Sequence, residues 1–275
     1  MNGPFTVRRK PEMETSSLIV GWTQDAGAVG PSVINYLNAK LGAWEFGEIE
    51  PADFFPLGGV EVEGDVAQFP ESKFYCSPEK RLVIFRSDPP VSEWHRFSNS
   101  ILDVAEQYCH ATELYTIGAM IYFGAHTTPR QILAVANSAE MQESMSRYDL
   151  AGSLDFETPP GQRPTMSSYL LWTARQRGIA GASLWVPVPY YLASADDAQS
   201  WKLLARFLDR RFDLGIGFED LDELVMSENV RLGQLRARSP EIDGYITRLE
   251  SNLALSEEES EKLVKEVQEF LSEED

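Results

Sequence analysis

The sequence predicts an α/β protein whose largely parallel sheet is covered by helices on both faces. Short apolar runs typical of buried strands alternate with segments of helical periodicity, and Gly- and Pro-rich turns separate them. After Gly217 only helical patterns follow. A chain of 275 residues with 43% hydrophobic composition can bury a large core. We therefore expect an α/β core domain over residues 1–217 and a small C-terminal helical extension over residues 218–275.

The first half of the chain supplies a strand, a turn, a helix and then a group of strands. The apolar run Leu18–Trp22 predicts a strand, and apolar residues at three- and four-residue steps predict a helix over residues 29–41. Residues 44–86 alternate apolar and polar positions between Gly and Pro, which predicts several strands, some of them antiparallel. Ser92 is the expected N-cap of the next helix, which runs to Tyr108.

The apolar run over residues 117–123 predicts a buried central strand that ends in a polar loop. Residues 131–136 fit either a strand or the start of a helix. After an exposed loop over residues 152–164, a helix is expected over residues 166–177. The next expected strand, over residues 179–186, is stopped by two prolines.

Asp196 is the expected cap of a helix that precedes the C-terminal extension. The extension carries three helical segments, each with an apolar stripe that must be buried on its neighbours, on the core or on another subunit. The last helix starts at the capping box Ser256-Glu-Glu-Glu259.

The composition indicates a reduced, cytoplasmic protein that binds neither nucleic acid nor membrane. A formal charge of −19 repels phosphate backbones. Cys76 and Cys109 form no C-x-x-C pair. The basic residues near the N-terminus are followed by Pro11 and polar positions rather than by the apolar core of a signal peptide. No apolar run approaches the ~20 residues that span a bilayer.

Motifs for catalysis are sparse, and no catalytic residue, metal site or cofactor is predicted. The turn Asp25-Ala-Gly27-Ala-Val-Gly30 is only a G-x-x-G, although its glycines would let a phosphate approach a helix N-terminus. His126 and Arg130 form the best polar pair, and either an anion site or a loop held by hydrogen bonds would explain them. Asp25, Gly27, Gly30, His126 and Arg130 are therefore the candidate ligand or interaction residues. The three histidines are too scattered to suggest zinc.

The order of several motifs resembles the proteasome assembly chaperone 2 family over roughly residues 15–250. The motifs are Gly21-Trp22 before the Asp25 turn, Gly124-Ala-His126-Thr-Thr-Pro129-Arg130, Ser167-Ser-Tyr-Leu-Leu-Trp-x-Ala-Arg175-x-Arg177-Gly178-Ile, Val186-Pro-x-Pro189-Tyr190-Tyr191 and the helix over residues 197–212. The resemblance implies a three-layer α/β/α sandwich of the phosphorylase/hydrolase-like type, with a mostly parallel mixed sheet, that self-assembles or pairs with a relative.

The resemblance also implies a role in building protein assemblies. Family members with known roles are proteasome assembly chaperones, which commonly end in a hydrophobic-Tyr-any residue tail that docks between proteasome α subunits. This sequence instead ends Phe270-Leu-Ser-Glu-Glu-Asp275, without a Tyr.

Two hypotheses follow. The first is a non-enzymatic chaperone-like protein that forms a homo-oligomer, with a trimer among the options, and binds a client such as proteasome subunits. The alternative is a hydrolase or phosphorylase of nucleoside-like small molecules, because the implied fold also hosts such enzymes. The alternative requires a pocket in which Asp25, His126 and Arg130 converge.

Overall fold

The computed structural model describes residues 4–55, 61–151, 158 and 161–272, which contain ten strands and eight α-helices. The strands are β1 (Phe5–Val7), β2 (Ser16–Trp22), β3 (Trp44–Ile49), β4 (Glu61–Glu63), β5 (Val66–Gln68), β6 (Ser72–Ser77), β7 (Leu82–Ser87), β8 (Ala111–Tyr122), β9 (Leu133–Ala136) and β10 (Ala180–Pro189). The helices are α1 (Val29–Leu41), α2 (Trp94–Cys109), α3 (Ala139–Met145), α4 (Met166–Gln176), α5 (Ala198–Phe212), α6 (Glu219–Arg238), α7 (Pro240–Glu250) and α8 (Glu257–Ser272).

Eight of the strands form one mixed sheet in the order β1-β3-β6-β7-β2-β8-β10-β9, and β4 pairs with β5 in a separate hairpin. β2 runs parallel to both β7 and β8, whereas β1, β3, β6 and β7 form a run of antiparallel pairs. The alternating residues 44–86 therefore gave antiparallel strands, as expected from their pattern. The predicted α/β fold class is confirmed.

The described chain divides into two compact units. The first comprises Met1–Gln24, Ile34–Ile117 and Leu133–Leu184, and the second comprises Asp25–Val33, Gly118–Ile132 and Trp185–Asp275. All five candidate residues and helices α5 to α8 belong to the second unit. The separation into domains at residue 217 remains a prediction.

The core of the first unit lies between the sheet and helices α2 and α4. Alternate residues of β2, such as Leu18 and Val20, are fully buried in this cluster with residues of both helices. Rings from strands and helix meet there, since Phe85 lies 4.4 Å from Phe74 and 6.1 Å from Phe97 between ring centroids.

Two predicted helix caps are wrong by one residue. Helix α2 begins after Glu93, which adopts the left-handed conformation with φ 55°, and the carbonyl of Glu93 accepts the first-turn N–H of Phe97 at 2.9 Å. Ser92 therefore lies outside the helix. Helix α5 is capped by Asp197 rather than Asp196, because the Asp197 carboxylate accepts the N–H of Ser200. The capping box at Ser256 is confirmed by reciprocal bonds with Glu259.

The two strands nearest the candidate residues differ from the prediction. β10 continues through Pro187 and Pro189, because the fixed φ of proline fits an extended chain and the Pro187 carbonyl accepts bonds from other residues. In β8 the buried part ends near Gly118, and Ile121 is 51% exposed. The prediction that the whole run to Phe123 is buried is therefore wrong. Residues 133–136 form a strand, while most of the expected loop at 152–164 falls outside the described residues.

Candidate functional site

Asp25 closes the turn between β2 and α1. One carboxylate oxygen accepts the N–H of Ala119 at 3.0 Å and the other accepts the N–H of Gly30 at 2.8 Å. Burial raises the pKa of Asp25 to about 6, although the hydrogen bonds from backbone amides oppose the shift. The carboxylate thus binds the Gly30 N–H near the start of α1, where a ligand phosphate would be expected to bind.

Gly27 lies in the same turn and is surrounded by protein. It adopts φ +61°, and a Cβ at this position would lie 3.1 Å from both the Asp197 Cβ and a Val188 methyl carbon. The Gly27 carbonyl accepts the indole N–H of Trp201 at 2.6 Å, and its N–H donates to the Ala193 carbonyl at 3.0 Å. The absence of a side chain at Gly27 therefore permits close packing of this turn on the start of α5.

Arg130 is buried in an ion pair with Asp197, and the side chains are 3% and 0% exposed. The same guanidinium nitrogen donates to the Ser200 hydroxyl at 2.7 Å and to the Pro187 carbonyl at 3.2 Å. The Ser200 hydroxyl also donates to Asp197 at 2.7 Å. Arg130 is thus bound to the N-terminus of α5 by charge-assisted hydrogen bonds.

A second carboxylate, that of the half-buried Glu228 of α6, lies beside this ion pair. It accepts the N–H of Ala198 at 2.9 Å. Burial, and next the negative charge of Asp197, raise the pKa of Glu228 to about 8. The sequence pattern did not single out Glu228, because only the fold places this helical residue against the first N–H of α5.

His126 is held by Tyr191. The phenol oxygen lies 2.8 Å from the His126 Nδ1 and accepts the His126 backbone N–H at 2.6 Å. Burial, followed by the positive charges of Arg236 and Arg130, lowers the pKa of His126 to about 4. The imidazole is therefore neutral at pH 7.

The loop that carries His126 is tied to the helices that follow α5. The Thr127 hydroxyl donates to Glu250 of α7 at 2.8 Å. Arg236 of α6 pairs with the same Glu250 at 2.7 Å and with Asp243 at 2.6 Å. His126 and Arg130 therefore interact through charge, since the guanidinium contributes to the lowered pKa of the imidazole, whereas Asp25 makes its hydrogen bonds to backbone N–H groups.

An apolar groove of about 820 Å³ lies between α8, the α7–α8 connection and the segment after β8. It is lined by Phe123, Tyr190, Leu249, Leu253, Leu255 and Val264, among others. Phe123 is 79% exposed and Leu253 57% exposed, and the Phe123 and Tyr190 ring centroids are 5.3 Å apart. Exposed apolar side chains around a concave surface are typical of binding sites.

The mouth of the groove carries the acidic residues Glu257 and Glu261, with Lys265 further along α8. In the described part of the chain neither glutamate forms an ion pair. The sequence pattern did not reveal the groove, because Phe123 was expected to be a buried strand residue. The apolar Leu253-Ala-Leu255 segment between two helices was the available signal.

The described residues provide no group of three or more His, Cys, Asp or Glu that could hold a metal ion. Both cysteines are buried and unpaired, and burial raises the pKa of each thiol to about 12. No helix in the described ranges is long and apolar enough to cross a bilayer.

Solved structures from bacteria and archaea share this fold. A Corynebacterium glutamicum protein of unknown function superposes with a TM-score of 0.76 at 18% identity, covering 90% of this chain and 96% of its own. A proteasome-assembly chaperone homologue from Mycobacterium tuberculosis gives 0.69 at 19% identity, covering 83% and 99%. Pyrococcus furiosus PbaB, an archaeal proteasome activator, gives 0.70 at 21% identity, covering 84% and 98%.

No curated protein matches the chain in sequence. The model of the PAC2 family matches residues 18–230, which include the Asp25 turn, the His126 loop and the first half of α6. The chain therefore belongs to the PAC2 family.

Proposed function

We propose that this protein is a cytoplasmic, non-enzymatic, assembly chaperone-like protein that self-associates and binds a protein client, with proteasome subunits as the first candidates. The observation that carries the proposal is the apolar groove with its exposed Phe123. Membership of the PAC2 family and structural similarity to proteasome-assembly chaperone homologues support a chaperone-like role.

The contacts of the candidate residues favour an interaction protein over a hydrolase or phosphorylase. The Arg130 guanidinium is paired with Asp197, and the His126 Nδ1 is bonded to Tyr191. The Gly30 N–H is bonded to the Asp25 carboxylate. These groups are bonded to other parts of the chain and stabilise the fold of the second unit.

The groove defines the chemistry of the client surface. Its apolar floor would accept aliphatic or aromatic side chains of a partner. Glu257 and Glu261 at its mouth would attract a Lys or Arg beside those anchors. A client segment that combines an apolar anchor with a basic neighbour is therefore expected.

Capture of the tagged protein from a lysate of its own organism tests the proposal. We expect a proteasome subunit in near-stoichiometric amount with the wild type, and at least about tenfold less with Phe123→Asp, since a central apolar anchor commonly contributes about 2 kcal/mol or more. Val91→Asp is the matched control, because Val91 is 65% exposed and does not line the groove. Equal recovery of the partner by both variants would contradict the assignment of the groove. If no client binds the wild type, the chaperone-like role is contradicted.

A further inference from the structure

Helix α6 carries an apolar stripe on its solvent-exposed face. Met226, Val230, Gly233 and Ala237 follow one another at steps of four, three and four residues, so they lie on one face of the helix. All four are exposed, Met226 at 64% and Val230 at 54%. A different face of α6 packs inward through Leu221, Leu232 and Leu235. The packing of the second unit therefore does not account for the exposed stripe.

The sizes of the stripe residues change along the helix. The two large side chains, Met226 and Val230, lie in its first half, and the two small residues, Gly233 and Ala237, lie in its second half. In an antiparallel pair of identical helices, Val230 would face Gly233 of the second copy and Met226 would face Ala237 of the second copy. Both pairings have the same midpoint, between residues 231 and 232, so a single register satisfies both.

The charge of α6 also differs between its two ends. Its first turn is acidic, with Glu219, Asp220 and Asp222, and its last turn contains Arg236 and Arg238. On a helix of 3.6 residues per turn, Glu223 and Arg238 lie on the same side of the apolar stripe. In the antiparallel register, Arg238 lies within one turn of Glu223 of the second copy, twice by symmetry. Two parallel copies would instead place like charges together.

We infer that α6 pairs antiparallel with α6 of a second copy of this chain, about a two-fold axis between residues 231 and 232. A second copy is the expected occupant because the face is complementary to itself in both side-chain size and charge. The contact deepens the self-association proposed above and rests on it. It requires a dimer or a larger assembly that contains two-fold axes, and a closed trimer alone has no such axis.

Gly233→Leu tests the contact, with Gly244→Leu of α7 as its matched control. Both glycines are helical and exposed, and no heavy atom lies within 4 Å of the place where a Cβ would be added. Leucine has a higher helix propensity than glycine, so neither change should unfold the chain. At position 233, however, the new side chain would occupy the space required by Val230 of the second copy.

Sedimentation equilibrium at about 1 to 200 μM protein measures the dissociation constant of the dimer. This concentration range suits a weak dimer, because one helix pair buries less area than a standard interface. We expect a wild-type dimer, dissociation at least about tenfold easier in Gly233→Leu, and no change in Gly244→Leu. Self-association that Gly233→Leu leaves intact would overturn this contact but not the proposed self-association. A wild type that stays monomeric, or forms only a trimer, would also overturn it.

Charge reversal gives a second test that does not depend on size. Glu223→Arg alone should weaken the dimer several-fold through like-charge repulsion, and Glu223→Arg combined with Arg238→Glu should restore it. Because Arg238 also lies 5.2 Å from the Phe270 ring centroid, the Glu223 variant is the cleaner single change. Failure of the double variant to recover would overturn the antiparallel register. Client capture through the Phe123 groove is read independently, so the two proposals can fail separately.

Discussion

Replacing Glu228 with Gln should stabilise the protein at neutral and alkaline pH. The Gln side-chain oxygen can still accept the N–H of Ala198, as the carboxylate does at 2.9 Å. The amide cannot ionise, so the variant avoids placing a negative charge in a half-buried site beside Asp197. The substitution therefore separates the hydrogen bond of Glu228 from its charge.

The magnitude follows from the pKa of Glu228, which burial raises from 4.5 to about 8. Between these values the folded state binds more protons than the unfolded state, so the free energy of unfolding falls as pH rises. A shift of about 3.5 pH units corresponds to at most ~5 kcal/mol. Glu228 also lines a cavity of about 430 Å³ that is open to water. With partial solvation we expect a gain of about 1–2 kcal/mol for Glu228→Gln at pH 8.5.

Urea unfolding at pH 5, 7 and 8.5 measures this gain. The difference between Glu228→Gln and the wild type should be small at pH 5 and should grow up to pH 8.5. Glu143→Gln, an exposed change on α3, controls for the loss of one negative charge from an acidic protein. A gain at Glu228 that is absent at pH 8.5, or that is the same at every pH, would refute the reasoning.

Three further predictions concern the candidate residues of the second unit. Gly27→Ala should lower the free energy of unfolding by about 2–3 kcal/mol in the same urea experiment, because the new Cβ would combine a positive φ with contacts of 3.1 Å. Gly42→Ala is the control and should cost only about 1 kcal/mol, since Gly42 has φ +56° but open space around it. Arg130→Met should cost about 3–5 kcal/mol because it leaves Asp197 buried without its partner, and pairing it with Asp197→Asn should recover part of the loss. The free energy of unfolding of the wild type should fall by up to about 3 kcal/mol from pH 6.5 to pH 4, because the folded state resists protonation of the His126 imidazole. His126→Asn should remove this fall, and identical pH profiles of the two proteins would contradict the prediction.

Local patterns in the sequence were sufficient to predict most of the elements. The run Leu18–Trp22 lies within β2, the stepwise apolar residues from Val29 form α1, and Ser256 caps α8 with Glu259. Each of these depends on neighbours within about one or two helical turns, or on the alternation of a single strand. The misplaced caps at Ser92 and Asp196 show the limit, since several adjacent polar residues satisfy the same local rule.

The site depends on contacts between residues distant in sequence, which local patterns do not specify. Arg130 pairs with Asp197, 67 residues away, and Trp201 donates to the carbonyl of Gly27, 174 residues away. The sequence singled out Gly27 and Arg130, but it could not show whether they contact a ligand or another segment of the chain. The exposure of Phe123 has the same origin, because an apolar strand end is buried only if another element covers it.

Substitutions at internally bonded residues and at exposed residues should have different effects. The polar residues that the sequence singled out are used internally: Asp25 and Gly27 fix the turn before α1, and Arg130 fixes the start of α5. Changes there should destabilise the second unit whatever it binds. Phe123 and Val230 are exposed, so changes there should alter binding while leaving stability nearly constant. A variant set that separates unfolding free energy from association therefore distinguishes residues that build this protein from residues through which it acts.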